Sequence, residues 1–288
     1  MDSPRPSRTD LHDDGVDRWA MVRAAPGSGL AGRVRSYCAY WEETASFAAR
    51  RELAGTNAVL IYALGEPLEI TGADGRAIVL RAGEGFAAGI ADGTSISRGL
   101  GPQAGLQVDL PLESLAALLG APVAALANRA VALDDLLGAE AAALGDALCH
   151  ARGDEARFAL VDAFLARRFA RERETDRAAT WAARRLLGEE APSSSALAAE
   201  LGWSRKQLAR RVGAVTGFGP DRLRRLARFE RFAESIGRRP DESLAGLAAA
   251  HGYADQAHLT HEVRAFSGMT PGELRARQLP GQGGVRED

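Results

Sequence analysis

The chain of 288 residues is short of several things, and each shortage removes a class of protein. It has two cysteines, Cys38 and Cys149, too few for a disulfide scaffold. They read as two reduced thiols packed like small hydrophobes; a redox-sensing pair needs the two sulfurs to meet in space. No apolar run approaches the roughly 20 residues that a membrane-spanning helix needs, so no membrane partner is expected. The first 17 residues are polar and mixed in charge. They lack the basic start and apolar stretch of a secretion signal, which points to the cytoplasm. The five histidines, at positions 12, 150, 251, 258 and 261, leave the β-rich stretch from Trp19 to Leu110 with none. A His-based metal site there is excluded by inventory. His251, His258 and His261 lie close in sequence, but their spacing suits a DNA contact or a cap better than zinc. There is no Ser/His/Asp set and no glycine loop for phosphate, so neither catalysis nor a cofactor is expected. Lysine is almost missing: Lys206 is the only one among 36 basic residues, a bias of codon usage more than of chemistry.

What is present is unevenly spread. Net charge is −2 overall, but residues 200–277 carry 14 basic against 9 acidic residues, and residues 1–199 carry 21 against 27. A basic C-terminal segment on an acidic body fits a nucleic-acid module joined to a separate sensing or assembly domain.

The first 18 residues are rich in Pro, Asp and Ser and read as a disordered tail. From about Trp19 to Leu110, short apolar runs alternate with turn signals such as Gly65-Glu66-Pro67 and Asp92-Gly93, a pattern of antiparallel sheet or barrel. Leu68–Leu80 reads as a hairpin turning at Asp74-Gly75. Acids such as Glu42, Glu43, Glu66, Glu69 and Glu84 read as exposed strand and loop residues. After Pro111 the text turns helical, with expected helices over 112–120, 133–150, 156–173 and 176–188. Pro192 to Ser195 forms a polar joint with serine N-cap signals.

Beyond that joint lies an internal repeat. Leu197, Ala198, Ala199, Gly202 and Trp203 recur as Leu247, Ala248, Ala249, Gly252 and Tyr253, at an offset of 50. Leu208, Val212, Val215, Gly217, Pro220 and Leu223 recur as Leu259, Val263, Phe266, Gly268, Pro271 and Leu274, at an offset of 51. Each unit reads as helix, glycine turn, helix, and the second unit carries one extra residue in its turn. Ser204 and Asp255 are N-cap signals for the second helix of each unit. Leu208, Val212 and Val215 share one face of that helix, which leaves Arg205, Lys206, Ala209 and Arg210 outward. Gln256, Ala257, Thr260 and His261 are outward in the second unit. These residue types suit base edges: Arg pairs with guanine, Gln with adenine, and Thr or Ala touches a thymine methyl. A helix over 221–236, with Leu223, Leu226, Phe229, Phe232 and Ile236 as its apolar stripe, joins the two units.

On LAAELGWSRKQLARRVGAVTG, LRRLARFERFAESI and SLAGLAAAHGYADQAHLTHEVRAFSGMTPGELR, the segment from about Ser194 to Arg277 resembles the DNA-binding domain of the AraC/XylS family of transcription regulators. The resemblance covers a little under a third of the chain. It implies base contacts by Lys206 and Arg210 in the first unit and by Gln256, Ala257 and His261 in the second. Arg211 and Arg228 are implied in phosphate or structural roles. Many members carry Arg where this chain has His261, so the second unit is expected to supply less sequence-specific energy. The β-rich region resembles the family's cupin-like effector or dimerisation domains, and GLQVDLPLESLAALLG resembles the strand-to-helix exit of such domains.

The expected fold class is α+β. A disordered tail (1–18) precedes an effector-sensing or dimerisation domain (19–190), β-rich to about 110 and helical after. An all-α DNA-binding domain (191–278) of two helix-turn-helix units follows, and then a second disordered tail (279–288). The DNA-facing set is Arg205, Lys206, Arg210, Arg211, Gln256, Ala257, Thr260 and His261. Expected partners are double-stranded DNA, a small-molecule effector, RNA polymerase and a second copy of the chain. Two other readings stay open at this point: a metal-free cupin-type enzyme, and a non-specific architectural DNA binder.

Overall fold

The structure is a computed structural model and describes residues 6–120, 122–171, 176–239, 241–279 and 284–287. Ten strands come first: β1 (Ser7–Asp13), β2 (Arg18–Ala24), β3 (Ser36–Glu43), β4 (Ala49–Glu52), β5 (Ala58–Ala63), β6 (Leu68–Thr71), β7 (Ala77–Leu80), β8 (Gly85–Ala88), β9 (Ser95–Gly99) and β10 (Gln103–Leu110). Helix α1 (Leu112–Leu119), strand β11 (Ala130–Ala132) and helices α2 (Leu133–Leu137), α3 (Ala139–His150), α4 (Asp154–Phe169) and α5 (Arg177–Leu187) follow. The C-terminal part holds α6 (Ser194–Glu200), α7 (Arg205–Thr216), α8 (Pro220–Arg238), α9 (Leu244–Ala250), α10 (Gln256–Ser267) and α11 (Pro271–Arg277), with a last strand, β12 (Val285–Glu287).

The strands form two sheets, ordered β1-β2-β3-β10-β5-β8-β11 and β12-β4-β9-β6-β7. Side chains alternate along a strand, so each central strand of the larger sheet serves two environments. Tyr37 and Ala39 of β3, Leu60 and Tyr62 of β5, and Leu106 and Val108 of β10 join the core shared with α1, α3 and α4. Their neighbours Cys38, Tyr40, Val59, Ile61 and Gln107 face inward, toward the smaller sheet and a cavity. The helical cover is pinned by Asp162 of α4, which accepts hydrogen bonds from the Tyr37 hydroxyl (2.7 Å) and the Gly27 amide (3.1 Å).

The expected hairpin forms between β6 and β7, with Gly75 at φ 78° in its turn. The helix expected over 133–150 divides at Gly138, whose φ of 61° with ψ of −142° is open to glycine alone. Both expected tails need correction. Residues 7–13 are strand β1, in register with β2 from Ser7↔Ala24 to Asp13↔Arg18. The acids that read as disorder make the turn instead: Asp14 accepts from the amides of Val16 and Asp17, and Asp17 accepts from those of Ala45 and Ser46. At the other end β12 pairs with β4, Val285 is fully buried, and Glu287 takes both arms of Arg51. Residues 280–283 and 288 lie outside the described residues. Cysteine also differs in part from expectation: Cys38 is buried, Cys149 is exposed, and both are free thiols.

The repeat folds as two helix-turn-helix units around α8. Leu223, Leu226, Phe229, Phe232 and Ile236 are completely buried, and each contributes roughly 1.5–3 kcal/mol by leaving water. Phe229 meets Phe266 of the second unit at 5.3 Å between ring centroids. The second unit is further tied to α8 by Glu262. Its side chain is 1% exposed and accepts from Arg225 Nε (2.9 Å) and from Arg228 Nε and Nη2 (2.9 and 2.7 Å). Burial alone would raise the Glu262 carboxyl, but the two guanidiniums outweigh it and hold it below the usual range.

A carboxyl with a lowered folded pKa stabilises fully above its unfolded value and loses that contribution as pH falls through the folded one. Glu262→Gln is therefore expected to cost about 2–3 kcal/mol at pH 7, less than for a wholly dry pair because both arginines keep some solvent contact. Between pH 5 and 3 the wild type should lose stability more steeply than the variant. Urea unfolding across that range checks it, and parallel slopes would remove Glu262 from the account.

Candidate DNA interface and the cavity behind it

The second helix of each unit is set by its N-terminus. Ser204 accepts from the Gln207 amide (3.1 Å) while Gln207 Oε1 accepts from the Ser204 amide (2.8 Å), a reciprocal cap that fixes where α7 begins. Asp255 caps α10 through the His258 amide (2.7 Å). The glycines before these helices have φ of 65° (Gly202) and 72° (Gly252), as a left-handed turn requires. The extra residue of the second unit lies in this turn, between Ala250 and Gln256.

Leu208 and Val212 of α7, and Leu259 and Val263 of α10, are fully buried. Arg205, Lys206, Ala209 and Arg210 are exposed on the far side of α7, and Gln256, Ala257 and His261 on that of α10. Thr260 is half-buried and its hydroxyl donates to the Gln256 carbonyl (2.8 Å), which leaves its methyl as the outward group. Arg211 departs from the rest of the DNA-facing set. Its guanidinium donates to both carboxylate oxygens of Asp176 (2.9 and 2.7 Å) and lies 4.1 Å from the centre of the Trp203 ring. It joins α7 to the start of α5, because an acid and an aromatic face stand within its reach. Arg228 is likewise engaged, with Glu262 and over the Tyr253 ring at 4.6 Å.

Sequence reasoning passed over Arg264. It is exposed, and at eight residues from Gln256 and four from Thr260 it falls on the same stripe of α10. The i+4, i+8 spacing was the available signal. Its counterpart in the first unit, by the offset of 51, is Gly213.

Behind this surface, a cavity of about 450 Å3 lies between the two sheets and α8. Its inner wall includes Met21, Ile61, Ile70 and Phe86; Glu230, Ala233 and Glu234 of α8 close it from the C-terminal side. Glu230 accepts from the Thr56 amide (3.2 Å), the Thr56 hydroxyl (2.5 Å) and the Asn57 side chain (3.0 Å). Burial pushes the Glu230 carboxyl up, and the hydrogen bonds from Thr56 act against it. Arg222, also on α8, donates to Asp92 (2.7 Å), which Asn128 holds in turn. Ala54 and Ile90, from loops of the β-region, pack into the core of the C-terminal part. The cavity and the two helix-turn-helix units thus share one helix.

Glu42, expected to be an exposed acid, is one of the cavity residues. Its side chain is 14% exposed and ion-paired with Arg50 at 2.6 Å. Among the described residues no cluster of three or more His, Cys, Asp or Glu side chains could hold a metal, and no helix is long and apolar enough to cross a membrane.

Comparison with known proteins agrees with this geometry. Residues 197–277 match a family model described as a helix-turn-helix domain. No curated protein matches the chain in sequence. The solved structure of ToxT from Vibrio cholerae is similar over 84% of this chain and 98% of its own, at 10% identity and a TM-score of 0.54. ToxT with an unsaturated fatty acid bound gives 89% and 99%, 11% identity and a TM-score of 0.53. The AraC-like transcriptional activator CuxR matches over 78% and 87%, at 16% identity and a TM-score of 0.33. The chain shares the ToxT fold, and its residues 197–277 are a helix-turn-helix domain of the AraC type.

Proposed function

We propose that this chain regulates transcription in the cytoplasm by reading a specific operator with α7 and α10, and that the domain spanning about 19–190 senses a small molecule. The observation that carries the reading is the pair of capped helices, each presenting basic and amide side chains outward and each anchored on α8. Arg205, Lys206 and Arg210 form the first reading face. Gln256, Ala257, Thr260 and His261, with Arg264 added, form the second. Two successive major-groove faces lie roughly 34–36 Å apart, so one chain can address two segments on one side of a duplex. Phosphate contacts supply affinity and salt dependence, and base contacts supply specificity. ToxT, which shares the fold, has been seen with an unsaturated fatty acid bound, and the cavity against α8 supports an effector role for the same region here. The further partners of this reading are a second copy of the chain and RNA polymerase.

Selection from a random duplex library at a stated near-physiological salt should enrich two short blocks about one helical turn apart. Equal affinity for selected and random DNA would favour an architectural binder instead. On the selected site, Arg210→Ala should cost roughly 1–3 kcal/mol and relax the preference at one base pair. A uniform loss on all sequences would give Arg210 a phosphate role.

Lys206 and Arg211 separate contact from support. Lys206→Ala is expected to lower the slope of log affinity against log salt by about 1 if it meets a phosphate. Arg211→Ala should leave that slope unchanged and lower the melting temperature, because its partners are Asp176 and Trp203. Binding titrations at four salt concentrations, with thermal unfolding of each variant, check both.

A further inference from the structure

The charges around the cavity do not balance. Three arginines border it, and each already has an acid: Arg50 pairs with Glu42 at 2.6 Å, Arg23 lies 3.7 Å from Asp10, and Arg129 lies 3.5 Å from Asp74. Of the four glutamates on the wall, Glu42 is taken by Arg50 and Glu230 by Thr56 and Asn57, while Glu234 is exposed at the rim.

Glu52, at the end of β4, is the remaining acid. It accepts one long hydrogen bond, from Ser97 Oγ at 3.4 Å, and no ion pair reaches it among the described residues; the nearest cation, Arg50, is bonded to Glu42. The Glu52 side chain is half-buried, and the open space beside it is the cavity. Burial pushes its carboxyl up, against the pull of Arg50 and Ser97.

Burial holds such a carboxyl toward its neutral form, and a cation with hydrogen-bond donors placed beside it favours the charged form and pairs with it. An anion in the same space would set like charges together where the dielectric is low. The apolar side of the cavity, Met21, Ile61, Ile70 and Phe86, asks for a hydrophobic body of modest size.

We infer that the effector is an organic cation, a small amphiphile whose ammonium group pairs with Glu52 while its apolar body lies along Met21, Ile61, Ile70 and Phe86. This rests on the sensing role proposed above and adds its ligand class. A molecule reaching from Glu52 to Ala233 and Glu234 touches both the β-region and α8, so its occupancy bears on the helix that carries the two reading units.

The test uses the full chain and three ligands of one shape: 4-phenylbutylamine, 4-phenylbutanol and 4-phenylbutyrate, followed by ligand-observed NMR and calorimetry. The amine is expected to bind at least tenfold more tightly than the acid. Glu52→Gln should cut the amine's affinity tenfold or more and leave the alcohol's unchanged. Ile70→Phe, which narrows the apolar side, should weaken all three, and an unchanged fold in both variants is read from thermal unfolding. If the acid binds as well as the amine, or Glu52→Gln leaves the amine unaffected, the cationic class is wrong while the cavity still stands as a ligand site. If none of the three binds at millimolar concentration, the inference falls together with the sensing role of this cavity.

Discussion

Helix α8 is the constraint on which the rest of the molecule depends. It has no free apolar side: its stripe from Leu223 to Ile236 is the core of both helix-turn-helix units. Several of its polar positions are also occupied. Arg225 and Arg228 hold Glu262 of α10, Glu230 holds Thr56 and Asn57, and Arg222 holds Asp92. A helix of 19 residues is about 28 Å long, and one fixed on all these sides acts as a rigid spacer. The separation of α7 from α10 is therefore set by the same residues that meet the β-region.

That arrangement divides the electrostatics by location. Ion pairs at Glu262 and Asp176 consume Arg211, Arg225 and Arg228, so these arginines serve the fold. Arg205, Lys206, Arg210 and Arg264 stay outward and exposed, where a phosphate or base edge can meet them. Around the cavity a similar allocation gives each bordering arginine an acid and leaves Glu52 without an ion pair among the described residues. Counting basic residues along the sequence cannot separate these groups, because their partners come from distant elements: Asp176 precedes Arg211 by 35 residues, and Glu262 follows Arg228 by 34.

Much of the C-terminal half was legible in the sequence. Its elements are local: Ser193, Ser204, Ser243, Asp255 and Thr270 each cap the helix that follows, and a glycine turn and a periodic stripe need no remote information. The errors fell where local composition and tertiary pairing disagree. The Asp-rich start read as disorder, yet Asp14 closes its own turn and Asp17 accepts from amides of another loop. The C-terminal segment read as a tail, yet β4 offers it a strand edge and a partner for Glu287. Glu42 read as an exposed acid because no sequence pattern places Arg50 beside it.

The sequence by itself determined the change from a β-rich to a helical region, the two repeated units and the faces of α7 and α10, because periodicity and capping act over a few residues. Only the tertiary structure decided which arginines are taken up by acids and which stay exposed, where the cavity lies and which acid in it lacks an ion pair among the described residues. Those are properties of charges brought together from far apart in the chain, and a charge's role depends on what stands within a few ångströms of it.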